Sequence, residues 1–334
     1  MNKLSKLYEA RHRHAVHYGQ VLKMANDLYR AGRERGDQAL VALDSEAANI
    51  TLGQSWVSSN TDSYEDAAPL SVAYVNNGAA ILLFRLHPRQ SALWFEQAAE
   101  IAHKLKSNED EYLALGNLGN AYRYLGEYEL AVKHYKRAIR ITRKIGAKRA
   151  EGVRLGNLGL TYRHMGEYKR AIKCFKKALA IARDFGDRWN EDAELAGLGN
   201  VYFSLGEYQR AIECYEQSLV NSREVGSMRN ESIALGNLGE AYLNLGDYDR
   251  AIDYAEQALQ IAREINYRQG EAIQLSNLGL AYVRTGHTSK GEELLHWSLQ
   301  ILEEIESPYA DEARQRIESL PSEGLAGNND DVIP

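Results

Sequence analysis

The stretch GNLGNAYRYLGEY, residues 116–128, decides how this chain folds. It returns without gaps as GNLGLTYRHMGEY from Gly156, AGLGNVYFSLGEY from Ala196, GNLGEAYLNLGDY from Gly236 and SNLGLAYVRTGHT from Ser276, always 40 residues on. Leu118, Leu158, Leu198, Leu238 and Leu278 share one phase, Gly119 to Gly279 the next, and Tyr122 to Tyr282 a third. Self-similarity at such a period is the mark of a repeat architecture, in which each unit buries its apolar face on its neighbour.

Each unit reads as two helices. Leu115, Leu118, Gly119 and Tyr122 fall at 3- and 4-residue steps, on one helical face. Gly126 breaks that helix, and Ala131, Val132, Tyr135, Ala138 and Ile139 set the inner face of the next. Gly146, Gly186 and Gly226, with Asn266 in the fourth unit, follow the second helix, where a left-handed residue ends a helix at low cost. Glu151, Glu191, Glu231 and Glu271 sit in the first turn of the following helix, at its positive end. Gly119, with Ala131 and Ala138 facing it, leaves room for close helix approach; a large side chain there would overpack the hairpin by about 1–3 kcal/mol. The same context removes GNLG as a nucleotide loop, since no strand precedes it.

These small and large positions closely resemble the tetratricopeptide repeat (TPR) family, over residues 112–306. The 40-residue period resembles the longer-helix variant of Pins/LGN-type scaffolds, kinesin light chains and many bacterial regulators. The resemblance implies an all-α, right-handed superhelical solenoid of antiparallel helix pairs. A degenerate unit precedes the five regular ones, with Asn77 in the phase of Asn117, Phe95 in that of Tyr135, and Leu86-His87-Pro88 in place of Gly-Glu-Tyr. Residues 1–66 are expected to be an N-terminal helical pair broken at Arg35-Gly36-Asp37, residues 67–306 the solenoid, 307–320 a capping helix and 321–334 a disordered tail. Residues 58–63 read as a loop.

The N-terminal block carries a narrower resemblance. Arg13-His14-Ala15-Val16-His17-Tyr18, followed by Leu43-Asp44-Ser45-Glu46-Ala47-Ala48-Asn49-Ile50, resembles the segment that begins the TPR sensor of bacterial STAND-type signalling NTPases. The chain contains no G-x-x-x-x-G-K-(S/T) phosphate loop, so the resemblance implies a sensor without its ATPase module.

Composition narrows function further. No apolar run reaches the roughly 20 residues of a spanning helix, and the N-terminus lacks an apolar leader core, so a cytoplasmic protein with no membrane contact is expected. Cys174 and Cys214 are too few for a disulfide scaffold and read as small packing residues. His14 and His17 share a helix face without a third ligand, so no metal and no cofactor are expected. No catalytic constellation stands out, and the expectation is a binding protein that is not an enzyme.

In TPR solenoids the first helix of each unit lines the concave surface. The resemblance therefore implies a ligand-binding row of Asn117, Asn120, Arg123 and Tyr124, then Asn157, Arg163 and His164, then Asn200, Phe203 and Ser204, then Asn237, Glu240 and Asn244, then Asn277 and Arg284. Asn is a mediocre helix former, so its recurrence at 117, 157, 237 and 277 needs a reason. Its amide both donates and accepts, and a row of them can pair with the backbone of an extended peptide. The plainer role is bonding a neighbouring helix. The expected partner is a peptide or protein segment in the concave groove, held either by a sensor or by a free-standing scaffold.

Net charge is −6 but uneven: residues 121–185 hold 17 Lys+Arg against 5 Asp+Glu. Lys133, Lys136, Arg137, Arg140, Lys173, Lys176 and Lys177 fall on second helices, mainly a solvated convex side. Arg123, Arg154 and Arg163 fall on first helices and could draw an acidic partner. Nucleic acid is disfavoured, because stacking aromatics are not interleaved with this charge.

Overall fold

The computed structural model describes residues 3–30, 33–318 and 320. Among them are sixteen helices and no strand: α1 Lys3–Arg30, α2 Arg33–Ser59, α3 Ala67–Asn77, α4 Ala79–Arg85, α5 Pro88–Lys104, α6 Asn108–Tyr124, α7 Tyr128–Lys144, α8 Lys148–His164, α9 Tyr168–Asp184, α10 Arg188–Ser204, α11 Tyr208–Glu224, α12 Met228–Leu245, α13 Tyr248–Glu264, α14 Arg268–Arg284, α15 Thr288–Glu304 and α16 Ala310–Glu318. The chain divides into two compact units, Met1–Ile181 and Ala182–Pro334. The expected tail at 321–334 lies outside the described residues.

From α5 to α15 every helix starts 20 residues after the one before it. Two kinds of left-handed residue keep that spacing. Gly126, Gly166, Gly206, Gly246 and Gly286 close the turn inside each repeat, with φ between 72° and 85°. Gly146, Gly186, Gly226 and Asn266 close the turn between repeats, as the sequence suggested. Lys106 (φ 56°) and Glu306 (φ 50°) hold the same phase at the two ends of the series. There the backbone is imposed by the packing of the flanking helices, against the preference of the side chain.

In the Met1–Ile181 unit, each regular hairpin closes where a glycine meets a ring. A Cβ on Gly119 would stand 2.7 Å from Tyr135 Cε1, and one on Gly159 would stand 3.0 Å from Phe175 Cδ1. Tyr135 is fully buried, and its hydroxyl donates to Asn120 Oδ1 at 2.6 Å across the hairpin. The core runs on through Leu115, Leu118, Phe95, Ile81 and Tyr74 to Leu22 and Ile50.

The N-terminal end departs from the expected pattern. Arg35-Gly36-Asp37 lies inside α2, which begins at Arg33; one Gly near a helix start costs only about 1 kcal/mol. The helix also runs through Ser58 to Ser59. The first helix of the degenerate unit is broken at Gly78 into α3 and α4, bent by 66°. Leu22 fills the space a Cβ on Gly78 would need, with Cγ at 2.5 Å. Buried Asn26 caps the restarted helix, its Oδ1 accepting from the amides of Ala80 (2.9 Å) and Ile81 (3.2 Å). At the next turn His87 Nδ1 accepts from Arg89 N, and Pro88 takes the first helical position, where its missing N–H costs nothing.

The Ala182–Pro334 unit repeats the hairpin chemistry. Gly199 faces Tyr215, whose hydroxyl donates to Asn200 Oδ1 at 2.8 Å. Gly239 faces Ala255 and Gly279 faces Leu295, so the ring is replaced by shorter side chains as the series ends. Leu275, Leu278, Ile301 and Leu302 form the terminal core, with Ala310 and Ala313 of α16 packed on it. Buried Asp192 accepts from Ser222 Oγ (3.2 Å) and Asn230 Nδ2 (2.7 Å), and from Ser218 as well.

A salt bridge that spacing alone did not reveal recurs at each turn between repeats. Arg143 Nε meets Glu151 Oε1 at 2.6 Å, Arg183 meets Glu191 at 2.8 Å, Arg223 meets Glu231 at 2.7 Å and Arg263 meets Glu271 at 2.9 Å. The carboxylates at the helix starts thus pair with the arginine eight residues back. In the first of them the Arg143 and Lys148 side chains outweigh burial and hold Glu151 below the usual carboxylate range.

Two predictions arise. Lys106→Gly and Glu306→Gly should each raise stability by about 0.5–1 kcal/mol in urea unfolding, because glycine relieves the left-handed strain. Glu194 is buried, its Oε2 has no hydrogen-bond partner, and burial pushes its carboxyl up to about 8. The folded chain therefore holds a proton that the unfolded chain releases near 4.5, and this stabilising contribution is lost as pH rises towards 8. Glu194→Gln should flatten the stability–pH profile over that window and raise the melting temperature above pH 8.

Candidate functional site

The first helices α6 and α8 carry the predicted residues of the Met1–Ile181 unit. Asn117 and Asn157 are half-buried, and their amides hydrogen-bond to no described residue. The helix-bonding role proposed for such asparagines belongs instead to Asn120, through Tyr135. Arg123 lies over the ring of exposed Tyr124, at 4.5 Å from its centroid. His164 stacks on Tyr128, with ring centroids 5.7 Å apart and planes within 3°. Burial and the charges of Arg163 and Arg123 push the His164 imidazole below its usual range.

Arg154 adds to this face a group that composition could only place on a first helix. It is buried, and its Nε sits where a Cβ on Gly116 would be, 2.1 Å from that position. Tyr135 and Tyr112 are its electrostatic neighbours, and burial pulls its guanidinium below the usual arginine range. The first glycine of GNLG thus admits a long polar side chain from the next repeat. Gln274 uses Gly236 in the same way in the other unit.

In the Ala182–Pro334 unit the predicted residues divide. Phe203, Glu240, Asn244, Asn277 and Arg284 line one open cleft of about 770 Å³. Asn200 is spent on Tyr215 and Ser204 bonds back to its own helix. Asn244 Nδ2 donates to the Glu240 carbonyl at 2.8 Å, so its amide is partly used within its helix. Asn237 is half-buried with its amide bonded to no described residue, whereas Asn277 is buried and donates to Gln274 Oε1 at 3.4 Å. Burial raises the Glu240 carboxyl pKa, against the lowering effect of Arg316.

Arg316 and Leu320 also line this cleft, and Arg316 Nη1 donates to Ser276 Oγ at 2.9 Å. The short C-terminal helix therefore lends side chains to the first-helix face as well as covering apolar surface. Nothing in the local sequence of 310–320 marks this contribution. A second feature follows the repeat phase: a cation lies over the repeat tyrosine eight residues before it, as Arg170 over Tyr162, Arg210 over Tyr202, Arg250 over Tyr242 and Lys290 over Tyr282, at 3.7–5.6 Å.

Other candidates resolve differently. His12 stacks on Tyr8 and meets Trp56 edge-on, while His14 and His17 both pack on Tyr18. Cys174 and Cys214 are buried. Lys133, Lys136, Arg140, Lys173, Lys176 and Lys177 are exposed on second helices, and Arg137 is used on Glu111 at 2.5 Å. No single helix among the described residues is long and apolar enough to cross a membrane; α3 and α4 together have the length and composition of a bent span, with most of α3 buried in the core. The two halves of the N-terminal motif sense one another: burial and then the charge of Glu46 on α2 raise the pKa of the Tyr18 hydroxyl on α1, and Glu46 accepts from Asn49 Nδ2 at 2.8 Å.

Comparison with known proteins places these features. No curated protein sequence matches significantly. The fold is similar to that of the apo form of RapI (TM-score 0.64, 13% identity, 87% of this chain and 99% of that one). It is also similar to a Signal Transduction ATPase with Numerous Domains (STAND) protein with a tetratricopeptide repeat sensor from Pyrococcus horikoshii (TM-score 0.59, 19% identity, 89% of this chain); this chain spans 48% of that protein's length. A third similar structure is BtubC (BKLC) from P. vanneervenii (TM-score 0.59, 18% identity, 67% of this chain and 92% of that one). At these identities the likeness is one of fold. The tetratricopeptide repeat family model matches residues 110–184, 153–224, 191–264 and 230–304, more than half of the sequence. With its 20-residue helix spacing, glycine–ring hairpins and left-handed turns, the chain belongs to the tetratricopeptide repeat family.

Proposed function

We propose that this protein is a non-catalytic, cytoplasmic recognition module that binds a peptide or protein segment on its first-helix faces, as the sensor portion of a STAND-type regulator. The observation that carries the reading is the set Asn117, Asn157 and Asn237. Each is half-buried on a first helix, yet none of their amides hydrogen-bonds a described residue. A polar group kept at the edge of burial without a partner is poised to bond an incoming backbone, since each satisfied amide adds about 0.5–1.5 kcal/mol. Amides and guanidiniums suit binding better than turnover. The sensor assignment draws on the N-terminal motif, in which the charge of Glu46 on α2 acts on Tyr18 of α1, and on the fold likeness to the STAND protein.

The alternative is a free-standing interaction scaffold of the Pins/LGN type. A difference between the two faces favours it: the predicted charged residues of one, Arg123 and Arg163, are all arginines, while on the other the carboxylate of Glu240 stands among Arg284 and Arg316, so two different partners could be held. An ATPase encoded in frame upstream would support the sensor, and a lone reading frame would support the scaffold.

Binding can be tested with peptides selected from a random phage-displayed library. Asn157→Ala, Asn237→Ala and Arg163→Ala should each weaken the selected peptides about 3–10-fold, the equivalent of one lost hydrogen bond, with circular dichroism unchanged. Unchanged affinity in all three variants would rule out the first-helix faces as the binding surface.

A further inference from the structure

The second helices of the two units carry opposite charge at the same register positions. Lys133 and Lys136 on α7 recur as Lys173 and Lys176 on α9; in the next two repeats those positions hold Glu213 and Glu216 on α11, then Asp253 and Glu256 on α13. All eight side chains are exposed. Counted by helix, α7 and α9 each hold six Lys+Arg against one Asp+Glu, while α11 holds two against three, α13 two against four and α15 one against four. The four lysines belong to the Met1–Ile181 unit and the four carboxylates to the Ala182–Pro334 unit.

Neither row is answered within the chain. None of the eight charges forms an ion pair with a described residue, although the arginines and carboxylates at the turns between repeats do. Lys136 lies over the ring of Tyr162, at 5.9 Å from its centroid. Positions three apart are neighbours on a helix surface, so like charges there repel and stabilise neither helix. The hairpins close through the other side of these helices, by way of buried Tyr135, Phe175, Tyr215 and Ala255. The fold therefore requires neither row. The same stripe continues to Ala180 on α9 and Val220 on α11, both exposed, so each row borders apolar surface.

We propose that the lysine row of α7 and α9 docks on the carboxylate row of α11 and α13 in a second copy of this chain. Register argues for a second copy over an unrelated acidic partner. Both rows stand on 17-residue helices one repeat apart, with their charges at the same helical phase. The step between the two lysine pairs is thus the step between the two carboxylate pairs, and each lysine pair can face a carboxylate pair. A single exposed ion pair contributes little, because water and salt screen it. Several aligned pairs act on orientation and on the rate of encounter, and they keep like faces apart. The contact uses second helices, so it stands or falls independently of peptide binding on the first helices.

Sedimentation velocity of the full chain provides the test. At low salt the weight-average mass should rise with protein concentration above that of one copy. The association should weaken at least about tenfold in about 1 M salt, where the screening length falls to about 3 Å. Lys133→Glu with Lys173→Glu, and separately Glu213→Lys with Asp253→Lys, should each sediment as a single copy with an unchanged helical spectrum. Mixed in equal amounts, these two variants should associate again, because the native lysine row of one meets the native carboxylate row of the other. Lys133→Gln with Lys173→Gln removes charge without adding repulsion, and should weaken association less than the reversal does. A wild-type chain that stays single at low salt, association untouched by either reversal, or two single-copy variants that do not recover on mixing would overturn the contact. A labelled DNA duplex that binds the wild type through Lys133 and Lys173 while the chain stays single would overturn it too, and would give the lysine row to nucleic acid.

Discussion

The contact between a helical glycine and an aromatic ring fixes the distance between the two helices of a repeat, and much else depends on that distance. Gly119, Gly159 and Gly199 each give up a Cβ so that Tyr135, Phe175 and Tyr215 can lie flat in the hairpin. The ring buries a large apolar area, and the glycine sacrifices helix propensity of about 1 kcal/mol to admit it. Close approach also brings a hydroxyl within reach of the first helix. Asn appears at 120 and 200, where the ring is Tyr, and Leu160 stands where it is Phe175. A side chain that looked like part of a ligand row is thus partly a consequence of helix spacing.

The turns translate this local geometry into a series. Left-handed residues every 20 positions reverse the chain in three residues, so helices of nearly constant length restart in step. The arginine–glutamate bridge across each turn between repeats ties the end of one repeat to the start of the next. Its carboxylate is buried at Glu151, Glu191 and Glu271 while its arginine is half-exposed, so the bridge satisfies a group that would otherwise be stranded at a helix start.

The repeat, its hairpins and its glycine turns were legible in the sequence because they are periodic. Lys106 and Glu306 were not, since neither residue type signals a positive φ and only the 40-residue phase does. The break at Gly78 was missed because its cause, Leu22 and Asn26, lies more than fifty residues earlier. On the candidate faces, charge and residue type were readable, but partnership was not. Nothing in the spacing separates Asn120, bonded to Tyr135, from Asn117, bonded to nothing described, or identifies Arg154 as the guanidinium that Gly116 accommodates.

What remains is a contrast between structural and unspent polarity. Glu151, Asn120, Asp192 and the turn arginines are consumed in holding helices together. The amides of Asn117, Asn157 and Asn237 and the Nε atoms of Arg123, Arg154 and Arg163 hydrogen-bond no described residue. The most direct measurement of this account is site-specific photo-cross-linking of a selected peptide, with the reactive residue placed in turn at 117, 157, 237, 133 and 176. The account predicts efficient cross-links from the first-helix positions 117, 157 and 237 and background at the second-helix positions 133 and 176; cross-links concentrated at 133 and 176 would contradict it.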